Sequence, residues 1–209
     1  MFISLVYTDN YCIKDNYTSR KNAIDMKPNG YRKNGQLAVY EKALEIAISN
    51  NYNTIVDIGS GSGDKLINLF NNFYTIGFDL MPIINWVNNK YPNYDWRISD
   101  FTKPLDEKVD LIICSDVIEH LQDPNELLNW INSIEFNTLV ISTPDRNLLS
   151  RGSQNGPPNN IHHIREWSFD EFEEYLKRWF VIEQHFHVDD VFPPVTPKKI
   201  CQVVICKKP

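Results

Sequence analysis

Three groups of residues in this 209-residue chain have the types and spacing to do chemistry. The first is Asp57-Ile-Gly59-Ser-Gly61-Ser-Gly63-Asp64, which follows the apolar pair Ile55-Val56. Glycines at alternating positions let a backbone bend sharply and come close to a ligand, because no Cβ intervenes. A dinucleotide fingerprint has Gly at first, third and sixth positions, so that pyrophosphate sits on a helix N-terminus. Here the sixth position is Asp64 counted from Gly59, or Leu66 counted from Gly61. A carboxylate at the helix mouth repels a pyrophosphate and tolerates a ligand that carries positive charge. The second group is Asp116, Glu119 and His120, after the apolar run of residues 111–114. If one helical turn follows that run, the three stand at i, i+3 and i+4 on one face. The third is His162-His163-Ile164-Arg165-Glu166-Trp167. Such carboxylates and imidazoles can take a proton from a hydroxyl or bind a divalent cation.

These groups must be positioned by elements, and the pattern names them. Residues 36–49 carry apolar side chains at helical spacing. Strand-like runs follow at about 54–58, 73–78, 94–98, 110–114 and 138–142, with helix-like runs at 63–71, 82–90, 124–133 and 168–178. That alternation predicts an α/β fold, a parallel sheet with helices on both faces. Asp123-Pro124-Asn125-Glu126 supplies an N-cap, a proline at N1 and an acid at N3, and Ser168-Phe-Asp-Glu171 reads as a capping box. Two β-rich runs, 180–188 and 200–206, close the chain. Residues 143–167 show neither period, and a loop of that length over the carboxyl edge of a sheet reads as a substrate lid.

An acid and Gly-x-Gly-x-Gly after an apolar strand resembles motif I of the class I S-adenosylmethionine (SAM)-dependent methyltransferases, and three further motifs follow in order. Gly77-Phe78-Asp79-Leu80 places Asp79 22 residues past Asp57, the spacing of a ribose-binding acid. Ser99-Asp100-Phe101 looks like the adenine-contacting pair, and the segment from Asp110 through Ser115 and Asp116 to Leu121 looks like that superfamily's fourth motif. The resemblance implies SAM as cofactor, held by Asp57, Gly59, Gly61, Gly63, Asp79, Leu80, Asp100, Phe101 and Ser115. It also implies a Rossmann-like, seven-stranded, mostly parallel sheet with an antiparallel C-terminal hairpin strand. Asp57 and the Gly59 backbone would face the methionine ammonium, Asp79 the ribose, and Asp100 with Phe101 the adenine.

A narrower resemblance lies in Ser142-Thr-Pro-Asp-Arg146, Gly156-Pro-Pro-Asn159 and His163-Ile-Arg-Glu-Trp-Ser168. Together with residues 11–17 and 36–40, these are similar to small methyltransferases of glycan and polysaccharide assembly. A sugar or glycan hydroxyl is then the expected acceptor, with His163 or His120 taking its proton without a metal, and Asp116 and Arg165 touching the substrate. Tyr17 and Arg20 would close over the cofactor. A rival resemblance, carried by Glu119-His120 and the later His-x-x-Glu-Trp, is to RNA 3′-end 2′-O-methyltransferases, in which Glu and His residues bind a divalent metal. Asp116 stands where those enzymes have a further Glu. Another small-molecule methyltransferase and a non-catalytic SAM-binding scaffold are the remaining alternatives.

Composition bounds the rest. With 42% hydrophobic residues the chain suits one compact domain over 1–209, comprising an N-terminal cap segment (1–35) and the lid. A net charge of −6 argues against a long nucleic-acid footprint. No apolar run is long enough to span a membrane, and no signal peptide opens the chain. Four scattered cysteines without a Cys-x-x-Cys pair read as reduced thiols, which points to the cytoplasm.

Overall fold

A computed structural model describes residues 35–149, 158, 160, 162–190 and 198–209. Most of the N-terminal cap segment, Cys12, Tyr17, Arg20 and the middle of the expected lid lie outside the described residues. The elements follow the sequence pattern: α1 (Leu37–Ser49), β1 (Thr54–Ile58), α2 (Asp64–Leu69), β2 (Tyr74–Asp79), α3 (Met81–Lys90), β3 (Asp95–Ile98), β4 (Val109–Ser115), a 3-10 turn (Ile118–His120), α4 (Pro124–Ser133), β5 (Phe136–Pro144), α5 (Arg146–Leu149), α6 (Phe169–Leu176), β6 (Val181–Asp190) and β7 (Lys198–Lys207).

The strands form one seven-stranded sheet in the order β3-β2-β1-β4-β5-β7-β6. Neighbours from β3 through β5 pair in parallel, and β7 lies antiparallel between β5 and β6. This is the expected Rossmann-like architecture. Apolar side chains on both sides of the central strands make two cores. Val39, Tyr40, Ala43 and Ala47 of α1 pack with Leu66, Ile83 and Val87 on one face. Leu127, Leu128 and Ile131 of α4 pack with Phe172, Tyr175 and Leu176 of α6 on the other. The connection from β3 to β4 carries no helix; Leu105 is buried in it, and the Phe101 ring packs on Trp130 at 5.5 Å.

Both anticipated helix starts form. Asp123 accepts from Asn125 N at 2.9 Å, and Ser168 and Glu171 complete a reciprocal capping box. The expected lid is shorter than its lack of period suggested. Thr143 and Pro144 extend β5, since β7 supplies pairing partners Gln202 and Cys201, and Arg146–Leu149 makes a helical turn begun by Asp145 Oδ1 accepting from Asn147 N. Cys114, Cys201 and Cys206 are buried free thiols. Among the described residues no helix is long and apolar enough to cross a membrane.

Candidate active site

Among the described residues, the expected site residues sit at or just beyond the carboxyl ends of the parallel strands, or on the segment that returns over them. At the end of β1 the chain turns through Gly59 (φ 76), Gly61 (φ 54) and Gly63 (φ 71), conformations that L side chains rarely adopt. A Cβ on Gly59 would overlap Val117, and one on Gly63 would overlap the Trp96 ring. The turn is pinned to β2, because Gly59 N and Ser60 N both donate to Phe78 O, at 2.7 and 3.0 Å. Asp79 ends β2 and accepts Gly61 N on one oxygen and Leu80 N on the other, both at 2.7 Å. Each oxygen keeps accepting capacity, which is what a ribose diol requires. Burial raises its pKa, and the two backbone donors oppose the shift. Beside it Leu80, Met81 and Ile98 are 40%, 49% and 44% exposed, an apolar surface at the ends of β2 and β3.

Asp57 is fully buried, and both its oxygens accept from the Tyr40 hydroxyl, at 3.0 and 3.1 Å. Burial pushes its pKa up to about 7, against the Tyr40 bond and the Lys65 charge, while Asp79 adds to the rise. Asp100 is committed locally: Thr102 N and Oγ1 donate to it at 3.1 and 2.6 Å and Lys103 pairs with it at 2.9 Å, which holds its pKa at about 2. Asp64 behaves differently from the expectation. Its carboxylate accepts from Tyr91 at 2.6 Å, lies 3.3 Å from the Lys90 ammonium, and has a lowered pKa for which those partners outweigh burial. Its charge at the helix mouth is therefore partly neutralised.

After β4 the expected helical turn forms as a 3-10 turn over Ile118–His120 only, and Asp116 stands before it at φ 52. Asp116 therefore leaves the face shared by Glu119 and His120. Its Oδ2 accepts from Gln36 Nε2 at 3.0 Å and its Oδ1 from Ser142 Oγ at 2.9 Å and Cys201 Sγ at 3.6 Å. Since the Ser142 proton goes to Asp116, Ser115 must donate to Ser142, 3.0 Å away, leaving the Ser115 oxygen as an acceptor.

Glu119 is fully buried. Thr143 Oγ1 donates to its Oε2 at 3.1 Å, while its Oε1 meets no hydrogen-bond partner among the described residues. Burial raises its pKa well above the carboxylate range, and the charges of Asp116 and Glu166 add to the rise. The return segment brings His163 onto the same spot: Ile164 N donates to Glu119 O at 2.9 Å, and the His120 and His163 rings meet edge to face at 5.0 Å. His120 Nδ1 donates to His162 O at 2.6 Å, which turns Nε2 toward Glu119 Oε1 at 3.9 Å. His163 Nδ1 donates to Glu166 Oε1 at 2.5 Å, so its Nε2 carries the lone pair and accepts from Asn160 Nδ2 at 2.9 Å. One ligand atom each from Glu119, His120 and His163 lies within 4.8 Å of the others. Arg165 is buried; it donates to Gln122 O at 2.7 Å and lies 5.9 Å from the Trp167 ring centre, a role in holding the segment.

Sequence reasoning missed Tyr40, Gln36, Lys65 and Thr143. Tyr40 lies on α1 and Gln36 just before it, on a segment that reads from sequence only as an apolar helix. Glu166 was signalled by its three-residue spacing from His163.

The methyltransferase domain family model matches residues 31–190. The chain belongs to that family and is a class I SAM-dependent methyltransferase, an enzyme whose cofactor is SAM. Solved structures share the fold at low identity. The methyltransferase domain of bacterial CtHen1 is 18% identical, with 82% of this chain and 98% of that one covered and a TM-score of 0.62. A SAM-dependent methyltransferase from Clostridium acetobutylicum is 15% identical, covering 88% and 96%, with a TM-score of 0.64. Magnesium protoporphyrin IX methyltransferase from Synechocystis with bound SAH is 14% identical, covering 84% of each chain, with a TM-score of 0.62. No protein of curated function matches the chain in sequence.

Proposed function

We propose that this enzyme methylates a hydroxyl of a sugar-class acceptor, and that Glu119, His120 and His163 hold a divalent cation beside that hydroxyl. The buried Glu119 Oε1 without a hydrogen-bond partner carries this reading. An isolated carboxylate oxygen out of water is costly, and a cation next to two imidazoles removes the cost. The acceptors around the cluster fit such a site: the His162 carbonyl and the Glu166 carboxylate each take the Nδ1 proton of a histidine and leave its Nε2 lone pair to ligate, that of His163 in exchange for its bond from Asn160. Two nitrogens and one oxygen suit Mn²⁺, Co²⁺ or Zn²⁺ better than Mg²⁺.

When bound, the cation would lower the pKa of an adjacent hydroxyl. The chain's own residues align the reaction. Asp79 takes the ribose hydroxyls, Leu80 and the Phe101 backbone meet the adenine with Asp100, and Asp57, Gly59 and Ser115 face the ammonium end. Gly61 and Gly63 let the backbone approach. Methyl transfer from a sulfonium is an in-line displacement, so this alignment supplies much of the rate. Thr143 holds Glu119, Glu166 holds His163, and Asp116 lines the acceptor side. In a second reading His163 takes the acceptor proton itself, as the His163–Glu166 pair would allow. The same three residues also favour a ribose hydroxyl at an RNA end, the acceptor class of the rival resemblance, against the net charge of −6.

Mass spectrometry of nucleotide sugars, oligosaccharides and short RNAs incubated with enzyme and SAM tests the acceptor. One added methyl group on a saccharide is expected, and addition only to RNA ends replaces the sugar reading. Activity is expected to vanish in EDTA and return with Mn²⁺. Activity that survives exhaustive EDTA, with His163→Ala lowering turnover by about 10²–10⁴-fold, establishes the metal-free base instead.

A further inference from the structure

Helix α1 reaches the cofactor strand through one hydroxyl. Tyr40 is buried, and a phenol carries a single proton, so that proton is shared between the two oxygens of Asp57. Lys65, the second residue of α2, places its ammonium 5.0 Å from the centre of the Tyr40 ring and 3.4 Å from Gln36 Oε1. Among the described residues, the titratable groups facing Asp57 are Tyr40 from α1, Lys65 from α2, Asp79 from β2 and Cys114 from β4. Of these, Tyr40 makes the hydrogen bond. A carboxylate wholly removed from water stays ionised only where donors or cations compensate it.

We propose that Tyr40 is a positioning residue for the cofactor: by donating to both oxygens of Asp57 it keeps that buried carboxylate available as the negative charge against which the methionine ammonium of SAM is held, directly or through a water. The proposal rests on the assignment of Asp57 to the ammonium. Without the hydroxyl the acid takes up a proton, and a neutral acid does not attract an ammonium. Binding must then expel the proton, so affinity falls as pH is lowered wherever Asp57 is protonated in the free protein. Burial already holds Asp57 at about 7 with the hydroxyl in place; removing a bond that lowers the pKa moves the window upward.

Calorimetric titration with SAM from about pH 6 to 9 tests this, alongside methylthioadenosine, which keeps the adenine, ribose and thioether but has no ammonium. Tyr40→Phe is expected to weaken SAM about 10-fold at neutral pH, the scale of a hydrogen bond to a charged group, with the gap closing toward alkaline pH. It should also increase the number of protons released on binding, read from buffers of different ionisation enthalpy, and leave methylthioadenosine unchanged. In Asp57→Asn, adding Tyr40→Phe should weaken SAM no further. A fluorinated tyrosine at position 40, a stronger donor of the same shape, should tighten SAM binding, and it keeps the test alive if the phenylalanine variant does not fold. Equal loss for both ligands by a factor constant with pH reduces Tyr40 to packing and overturns the proposal. Unchanged SAM affinity in Asp57→Asn removes the ammonium assignment beneath it.

Discussion

Buried charge at this site is concentrated in single residues whose partners can be counted. Glu119 has one oxygen served by Thr143 and one that no described residue serves. Replacing it with the amide removes the titratable acid, and the proton uptake that folding imposes on it, while keeping the shape. Glu119→Gln is therefore expected to abolish divalent-cation binding, leave SAM affinity unchanged, and raise the stability of the cation-free protein by about 1 kcal/mol. Isothermal titration with Mn²⁺ and thermal melting check both halves, and retained cation binding would count against the site. Asp79 is different, because two backbone donors fix its carboxylate, one on each oxygen. Asp79→Ala should weaken SAM by about 1.5–3 kcal/mol, measurable by the same titration. The strand end at Asp57, the turn through Gly59 and Gly61 and the acid Asp79 at the next strand end were legible because residue type and spacing alone define a strand, a glycine turn and an acid. Tyr40 was not, since nothing in an apolar helix marks the position that will face an acid 17 residues on.

At the scale of elements, β7 matters more to the site than its position in the chain suggests. Gln202, fully buried on that strand, donates Nε2 to Trp167 O at 3.0 Å and Pro144 O at 3.4 Å, tying the two ends of the segment that carries His163. Because the nitrogen faces two carbonyls, Oε1 faces His185 Nε2 at 3.1 Å. His185 in turn bonds Glu173 and stacks on Phe169 at 3.5 Å, fastening α6 to the same strand pair. Gln202→Leu should cost about 1–3 kcal/mol of stability and slow methyl transfer while SAM affinity holds. Urea unfolding and SAM titration separate these effects, and an equal loss of SAM affinity would show that the clamp supports the whole edge. The helix caps at Asp123 and Ser168 were readable because they depend on neighbours within one turn. The 3-10 turn after β4 was not, because the turn that forms is set by the packing of Ile118 into the core and by Asp116 bonding Ser142 and Gln36.

For the whole molecule, the carboxylates gathered at one edge of the sheet make stability depend on pH. Asp57, Asp79 and Glu119 all have raised pKa values, with burial the largest cause in each. A raised acid binds more protons folded than unfolded between its two pKa values, so stability falls as pH rises through that window. For Asp57 the window runs from its ordinary value of 3.8 to about 7 and is worth at most about 4 kcal/mol. The ligand-free enzyme should therefore melt higher near pH 6 than near pH 8, and SAM with a divalent cation should shrink the difference. Calorimetric melting at the two pH values checks this, and a higher melting temperature at pH 8 in the ligand-free enzyme would contradict it. By itself the sequence determined the alternation of elements, the glycine turn, the acids at the ends of β1 and β2 and the caps, because each is written within one turn, one strand or one motif of spacing. Only the tertiary structure decided that His163 joins Glu119 and His120, that Asp116 leaves them for Gln36 and Ser142, and that Tyr40 serves Asp57. Those meetings depend on how apolar faces of similar composition pack across the sheet, and local periodicity carries no record of which distant polar groups the packing brings together.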